Sequence, residues 1–449
     1  MTGLDPVSYV AAISRKSFPP GLGRATTRRA LLFGSAAAAA LAATPGIAGP
    51  LVPARAKPRW TGAWTTANTA TPAGEPVLPA GRTVRQVVHL SLGGVQPRLT
   101  LTNEFGPTPV RLGEVAIGVR AGGPDSTAMR PATIRRVTFG GRADALLPAG
   151  GTLLSDPVPD LPLPPGTDLV IAYYLPDPTR IGTVGTHAYQ LNRIVPGNTA
   201  AAPDPAGGVA GTRYLLLGGV SVRTTGHSAA VVAFGDSITC GASTTLGANH
   251  RWPDRLADRI RAAGLPLGVL NTGINGNRLV AGPDLPAPAG AGGSGGSAPT
   301  AVVDNVSIGP AGLRRLDRDA LEQPGARYLI TLIGINDIRH GTAAPPLIAG
   351  HRELIARARR AGFTVLGGTL LPMGGSGRDA PAYRLARGAL NEWIRGSGEY
   401  DAVIDFDAAI RDGAHPERMW PGYDSGDHLH PNDAGMLALA SAVPLALLR

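Results

Sequence analysis

Val231-Val-Ala-Phe-Gly-Asp-Ser-Ile-Thr239 decides how this 449-residue chain is read. Four apolar residues run straight into Gly-Asp-Ser, the pattern of a buried strand that stops at a turn and leaves the Ser237 hydroxyl at its carboxyl end. A serine hydroxyl is a weak nucleophile at its free pKa, so the placement has meaning only with a histidine base and a group that orients it. Gly426-Asp427-His428-Leu429-His430-Pro431 supplies both, because one turn presents Asp427 and His430 side by side. His428 competes for the role of base. In an extended segment it would point the other way from His430, and the spacing from Asp427 and the following Pro431 favour His430.

Two further motifs lie between these ends: Asn271-Thr-Gly-Ile-Asn-Gly-Asn277 and Gly334-Ile-Asn-Asp337. Both are rich in hydrogen-bond donors, which acyl transfer needs for the oxyanion of its tetrahedral intermediate. Each follows an apolar run, Leu267 to Leu270 and Tyr328 to Ile333, so all four motifs fall just past predicted strands. The carboxyl ends of strands are where ligands bind in an open parallel α/β sheet. Taken singly the motifs have plainer uses, as turns and helix caps. Their joint order and strand context point to catalysis.

Through these four blocks, residues 229–449 resemble the SGNH hydrolases, the GDSL-type esterases and lipases. The resemblance implies that Ser237 is the nucleophile, with Asp427 and His430 completing the triad. It also implies an oxyanion hole made of the Ser237 N–H, the Gly276 N–H and the Asn336 side chain. In that family the donor glycine follows the Asn of its block by five positions, which selects Gly276, with Gly273 as the alternative. The implied fold is α/β, a three-layer αβα sandwich of the flavodoxin-like SGNH type. The stretch differs from the Gly-x-Ser-x-Gly elbow of α/β-hydrolases, since Thr239 and Cys240 follow, and no tight strained elbow is expected.

Beyond Ala229 the pattern alternates strand and helix. Strands are predicted at Ala230–Phe234, Gly268–Thr272, Arg327–Leu332, Thr364–Leu370 and Ala402–Phe406, and helices at Trp252–Ala263, Gly312–Glu322, Leu347–Ala361, Ala380–Arg395 and Asn432–Leu448. A doubly wound order 2-1-3-4-5 would put Ser237 at the switch point of the sheet. Between the second and third motifs, Gly282 to Thr300 is a tract of Gly, Pro, Ala and Ser, read as a loop insertion and a candidate lid. Met373-Gly-Gly-Ser-Gly377 is a candidate pocket wall, and Arg278 a candidate contact for a polar or acidic substrate group.

From Arg59 to Arg223 the chain reads differently. β-type runs at Val84–Leu92, Arg98–Thr102, Val110–Val119, Ile134–Phe139 and Leu169–Tyr174 are separated by Gly and Pro turns, with no helical period between them. They predict an all-β sandwich or jelly roll. Such β domains accompany some SGNH esterases, and Leu101-Thr-Asn-Glu-Phe-Gly106 resembles a segment seen in them. Carbohydrate binding, a wall over the catalytic cleft and a stabilising scaffold are all open roles. Trp60, Trp64, Tyr173 and Tyr174 are candidates for sugar stacking, although aromatics in β domains more often fill cores.

Residues 1–56 read as an export signal of twin-arginine type: Thr27-Arg-Arg-Ala-Leu-Leu-Phe33 opens an apolar run of some 14 residues after a basic leader. That run is short for a membrane span, which needs about 20. The domain plan is therefore 1–56 export signal, 57–225 β-sandwich accessory domain and 226–449 catalytic domain. Formal charge is +10, but residues 1–57 hold seven Lys or Arg against one Asp, and no stripe of Arg interleaved with aromatics follows, so nucleic acid is not an expected partner. Cys240 is the only cysteine, which excludes an internal disulfide and reads as a small buried filler. No Cys or His cluster has metal spacing, and no cofactor is called for.

The expectation is a secreted, monomeric serine ester hydrolase working through an acyl-enzyme, with short acyl groups preferred, plausibly acetyl on polysaccharide. Lipases, lysophospholipases and arylesterases would use the same four blocks. From another class, a glycan-binding protein with an inactive hydrolase domain remains the alternative.

Overall fold

The computed structural model describes residues 59–449 apart from Ala73, Thr186, Thr225 and 283–307. The expected export signal, its cleavage site and nearly all of the candidate lid lie outside the described residues.

The C-terminal region is built on five parallel strands, β1 (Ala229–Gly235), β2 (Leu267–Asn271), β3 (Ala326–Leu332), β4 (Thr364–Gly368) and β5 (Ala402–Ile404). Their spatial order is β2-β1-β3-β4-β5, the expected doubly wound order. Every residue of β1 is buried, because a central parallel strand is covered on both faces, and this is why it reads as an unbroken apolar run. Helices α1 (Trp252–Ala262), α2 (Ala344–Arg360), α3 (Pro381–Gly396) and α4 (Asp433–Ala442) form two groups. In one, α1 packs on α4; in the other, α2 packs on α3. Together with the sheet they make the three-layer α/β architecture. A single core joins the layers, from Val231 and Phe234 through Trp252 to Ile330, Leu354, Leu366 and Met436.

The N-terminal region is antiparallel throughout. One sheet orders Arg59–Thr65, Leu217–Thr224, Val95–Thr102 and Thr152–Leu154; the larger one is centred on Arg82–His89, Asp168–Leu175 and Val115–Ala121. Their facing side chains, among them Leu99, Leu101 and Val220 from the first and Val84, Val88, Ile117 and Ile171 from the second, share one core, as expected of a sandwich. Arg82–His89 is buried on both faces. Its outer face holds Arg85, whose guanidinium is fully buried and satisfied by the carbonyls of Thr127, Thr199, Ala202 and Pro203.

Two of the four aromatics considered for sugar stacking are core residues. Tyr173 is fully buried with its hydroxyl donated to the Leu215 carbonyl, and Trp64 packs edge-on against Tyr214 at 4.8 Å. Trp60 carries the Arg98 guanidinium over its ring at 3.6 Å. A sandwich needs its large apolar side chains inside, and that demand leaves few for a ligand.

The two regions touch through backbone. Gly62 N–H donates to the Pro324 carbonyl at 2.8 Å, and a Cβ on Gly268 would stand 2.4 Å from the Gly62 carbonyl oxygen. Only glycine at 268 lets the Arg59–Thr65 strand cross β2 so closely. Val269 N–H donates to the Ser91 hydroxyl at 2.9 Å nearby.

Candidate active site

Ser237 opens the single helical turn Ser237–Cys240 directly after β1 and is almost buried. Asp236 caps that turn by accepting the Ile238 N–H at 3.1 Å. The Ser237 N–H, at the first helical position, has no intrahelical acceptor.

His430 lies on the loop that leads into α4. Asn432 fixes this loop: its side-chain oxygen caps α4 by accepting the Ala434 and Gly435 N–H groups, and its amide donates to the Gly422 and Asp424 carbonyls. Asp427 Oδ1 accepts the N–H groups of Leu429 at 2.9 Å and His430 at 2.8 Å, so the carboxylate folds the turn that carries the imidazole. Its Oδ2 accepts from His430 Nδ1 at 2.5 Å, and His430 Nε2 stands 2.8 Å from Ser237 Oγ. The network assigns the tautomer with Nδ1–H toward Asp427 and Nε2 as acceptor for the serine proton. Partial burial alone would raise the Asp427 pKa, but the His430 and Leu429 hydrogen bonds outweigh it and bring the carboxyl down to about 2.

His428 turns elsewhere. Its backbone is left-handed, φ +60°, and its ring nitrogen meets Asp424 at 2.5 Å, with half of the side chain exposed. A second Asp–His pair thus sits beside the first without reaching Ser237. The segment Met373–Gly377 borders it: Gly374 N–H donates to the Glu417 carbonyl at 2.8 Å, and Gly375 lies against the His428 ring.

On the opposite side, Asn336 is buried on the short helix Ile335–Arg339 and donates one amide hydrogen to the Asn277 carbonyl at 3.1 Å. An amide nitrogen carries two hydrogens, so one is left for a ligand. The two candidate glycines differ. Gly273 spends its N–H on Asn271 Oδ1 at 3.0 Å, and a Cβ there would stand 2.2 Å from the Cys240 nitrogen, so this glycine serves close packing. Gly276 has φ +72°, and among the described residues its N–H meets no acceptor.

Beneath these groups lies a set of buried charges that motif reading did not assign. The fully buried Arg315 donates to the Gly235 carbonyl at 2.8 Å, the Thr272 carbonyl at 2.7 Å and Asn277 Oδ1 at 3.0 Å, and pairs with Asp319 at 3.0 Å. It therefore joins the ends of β1 and β2 and the loop of Asn277. Asp337 accepts the N–H groups of Leu279 at 2.7 Å and Val280 at 3.0 Å, which ties the third motif to the second. Burial pushes the Asp337 carboxyl up to about 6 and Asp236 up to about 7, each by denying the charged form its water. Asp236 and Asp337 stood in the quoted motifs; Arg315 gave no signal, since nothing in a lone helical Arg announces that it faces inward. Arg278 also turns inward and donates to the Gly282 carbonyl at 3.1 Å. Cys240 is buried, as expected of a filler, and its thiol is pushed up to about 12 by burial.

The β region reaches the site's margin. Asn275, next to Gly276, donates its amide to the Tyr189 hydroxyl at 3.1 Å, and the Gly247 N–H donates to the Tyr189 carbonyl at 2.9 Å. Tyr189 itself holds φ +49°, an uncommon backbone for a side chain of that size. Among the described residues no group of three His, Cys, Asp or Glu could hold a metal ion, and no helix is long and apolar enough to cross a membrane.

Comparison with known proteins bears on the C-terminal region. Residues 233–438 match the model of the GDSL-like lipase/acylhydrolase family. Solved structures similar to the chain include TesA, with 19% identity over 49% of this chain and 98% of that one and a TM-score of 0.34. They also include the psychrotrophic esterase EstA from Pseudoalteromonas sp., with 17% identity, 47% and 94% coverage and a TM-score of 0.33. A member of the lipolytic protein G-D-S-L family from Veillonella parvula shows 17% identity, 47% and 94% coverage and a TM-score of 0.31. No curated protein matched. Over residues 233–438 the chain carries a GDSL-like lipase/acylhydrolase domain, the domain of a carboxylic ester hydrolase.

Proposed function

We propose that Ser237 attacks an ester carbonyl while His430 Nε2 takes its proton, with Asp427 holding the imidazole in the required tautomer and stabilising its charged form. The oxyanion is received by the Ser237 N–H, the Gly276 N–H and the free amide hydrogen of Asn336. His430 returns the proton to the departing alcohol, and water then releases the acid from Ser237 by the same path in reverse. The observation that carries this reading is the continuous chain Ser237 Oγ, His430, Asp427 with both contacts at hydrogen-bond length. The proposal extends to export by the N-terminal signal and to short acyl groups, acetyl on polysaccharide among them. The short-acyl part rests on the sequence offering no long apolar lid helix and on the appended β region.

The test is hydrolysis of p-nitrophenyl acetate, butyrate, octanoate and palmitate, with acetate release from acetylated xylan, by the wild type and Ser237→Ala. Activity on acetate and butyrate with acetate release, lost in Ser237→Ala, is the expected result. Preference for octanoate or palmitate moves the protein to the lipases. No turnover and no labelling of Ser237 by an organophosphonate would leave a glycan-binding protein with an inactive hydrolase domain.

A further inference from the structure

Positive charge gathers beside Asn336 without a direct ion pair, Asp427 and Asp236 acting on Arg339 only from a distance. Arg339 ends the helix that carries Asn336, and Arg378, from the loop after β4, donates Nη1 to the Arg339 carbonyl at 3.2 Å. The Arg339 guanidinium is half-buried, its Nε is buried with no hydrogen-bond partner, and among the described residues it meets no carboxylate. Arg378 is exposed and likewise makes no ion pair among them. Arg278 adds a third cation from behind, one residue after the Asn277 carbonyl that Asn336 holds. His340 donates its Nδ1–H to the Asn336 carbonyl at 2.7 Å; burial first, with the charges of Arg378, Arg278 and Arg339, holds its pKa below the ordinary value against that hydrogen bond.

The nearby carboxylates are committed elsewhere. Asp427 holds His430, Asp379 takes Arg384 at 2.5 Å and the Gly375 N–H at 2.8 Å, Asp337 takes two backbone N–H groups, and Asp236 caps the Ser237 turn. Like charges drawn together and partly desolvated are unfavourable unless an anion joins them. Arginine's planar fork suits a carboxylate or phosphate group. Both guanidinium-bearing segments border the catalytic groups: Arg339 lies three residues from Asn336, and Arg378 lies three residues from Gly375, which rests on the loop of His428 and His430.

We propose that the ester substrate carries an anionic group, on its acyl or its alcohol part, that Arg339 and Arg378 bind beside Asn336. This rests on the hydrolase reading above and narrows its substrate class.

Two matched pairs test it: 4-nitrophenyl hydrogen glutarate against 4-nitrophenyl pentanoate places the charge on the acyl side, and 4-carboxyphenyl acetate against 4-carbamoylphenyl acetate places it on the alcohol side. The expected result is a kcat/KM about tenfold higher for the charged member of one pair, carried by KM, which corresponds to one modest charge-assisted contact. The advantage should collapse in 0.5 M NaCl, where the screening length is roughly four ångströms. The charged-to-neutral ratio should fall to within about twofold in Arg378→Gln and in Arg339→Gln, and persist in Arg130→Gln, an equal charge change in the β region. Hydrolysis of both members of both pairs at equal rates overturns the inference and leaves the hydrolase reading intact, as does a preference that survives in both arginine variants. Absence of all hydrolysis together with an unlabelled Ser237 fails the hydrolase reading, and this inference falls with it.

Discussion

In the α/β region the four motifs emerge from neighbouring strand ends and are bound to one another from below, by Arg315 across β1 and β2 and by Asp337 across the second and third motifs. The β region meets this region at scattered points, only one of them in a motif: Glu104 on Arg318 at 2.8 Å, Ser91 on Val269 at 2.9 Å, and Tyr189 on Asn275 at 3.1 Å. One region holds the whole hydrogen-bonded chain of Ser237, His430 and Asp427; the other supports the loop beside Gly276. The difference teaches that buried polar links within one region frame the site, while the neighbouring region adds single contacts at its margin.

Substitutions can break or sharpen that contrast. Asn336→Ala should lower kcat/KM by about 10² to 10³ with the fold intact by circular dichroism, the usual loss on deleting one oxyanion donor. A loss below tenfold would remove Asn336 from the oxyanion site. Arg315→Met should destabilise the protein by about 3 kcal/mol in urea unfolding, because it strands buried carbonyls and removes a partner from the buried Asp319. Unchanged stability would mean that the frame under the site does not depend on this residue.

Across the junction, Tyr189→Phe removes one acceptor, a contact of about 1 kcal/mol, and should cost roughly fivefold in kcat/KM with little change in Tm. A hundredfold loss would make the β region a full participant in the site and erase the contrast. An effect that depends on pH is expected from Asp236→Asn. A carboxyl held at about 7 in the folded chain, against 3.8 ordinarily, binds its proton more tightly when folded, so its contribution to stability is present at acid pH and declines as pH rises from about 4 through 7. Asn keeps the oxygen that caps the Ile238 N–H and cannot ionise. Its Tm should match the wild type below pH 4 and exceed it by about 2 to 4 °C at pH 8; a variant less stable at pH 8 would show that the ionised carboxylate is welcome there.

How far the sequence reached follows from how local each signal was. The parallel strands were legible because a central strand buried on both faces must be a short apolar run, and their predicted limits differ from the observed ones by a few residues at most. Helix α2 begins earlier than expected, at Ala344, because Pro345 and Pro346 fit the first helical turn, where no N–H is needed. The two- and three-residue strands of the β region, such as Thr69–Ala70 and Ala128–Met129, are too short to show alternation. Ser237, Asp427 and His430 were picked from motif order, and they stand within hydrogen-bond reach. Arg315 and the Tyr189 contact were invisible, since each depends on partners dozens of residues away whose position only the fold decides.

Ser237 and His430 lie 193 residues apart, and the base sits on the last loop before α4. The reactive pair is thus closed by one of the most sequence-distant contacts in the α/β region, and contacts of that kind form late and slowly. A chain emerging from the ribosome carries its serine early and cannot use it until the C-terminal loop has docked. On the proposed mechanism, hydrolysis therefore waits for that docking.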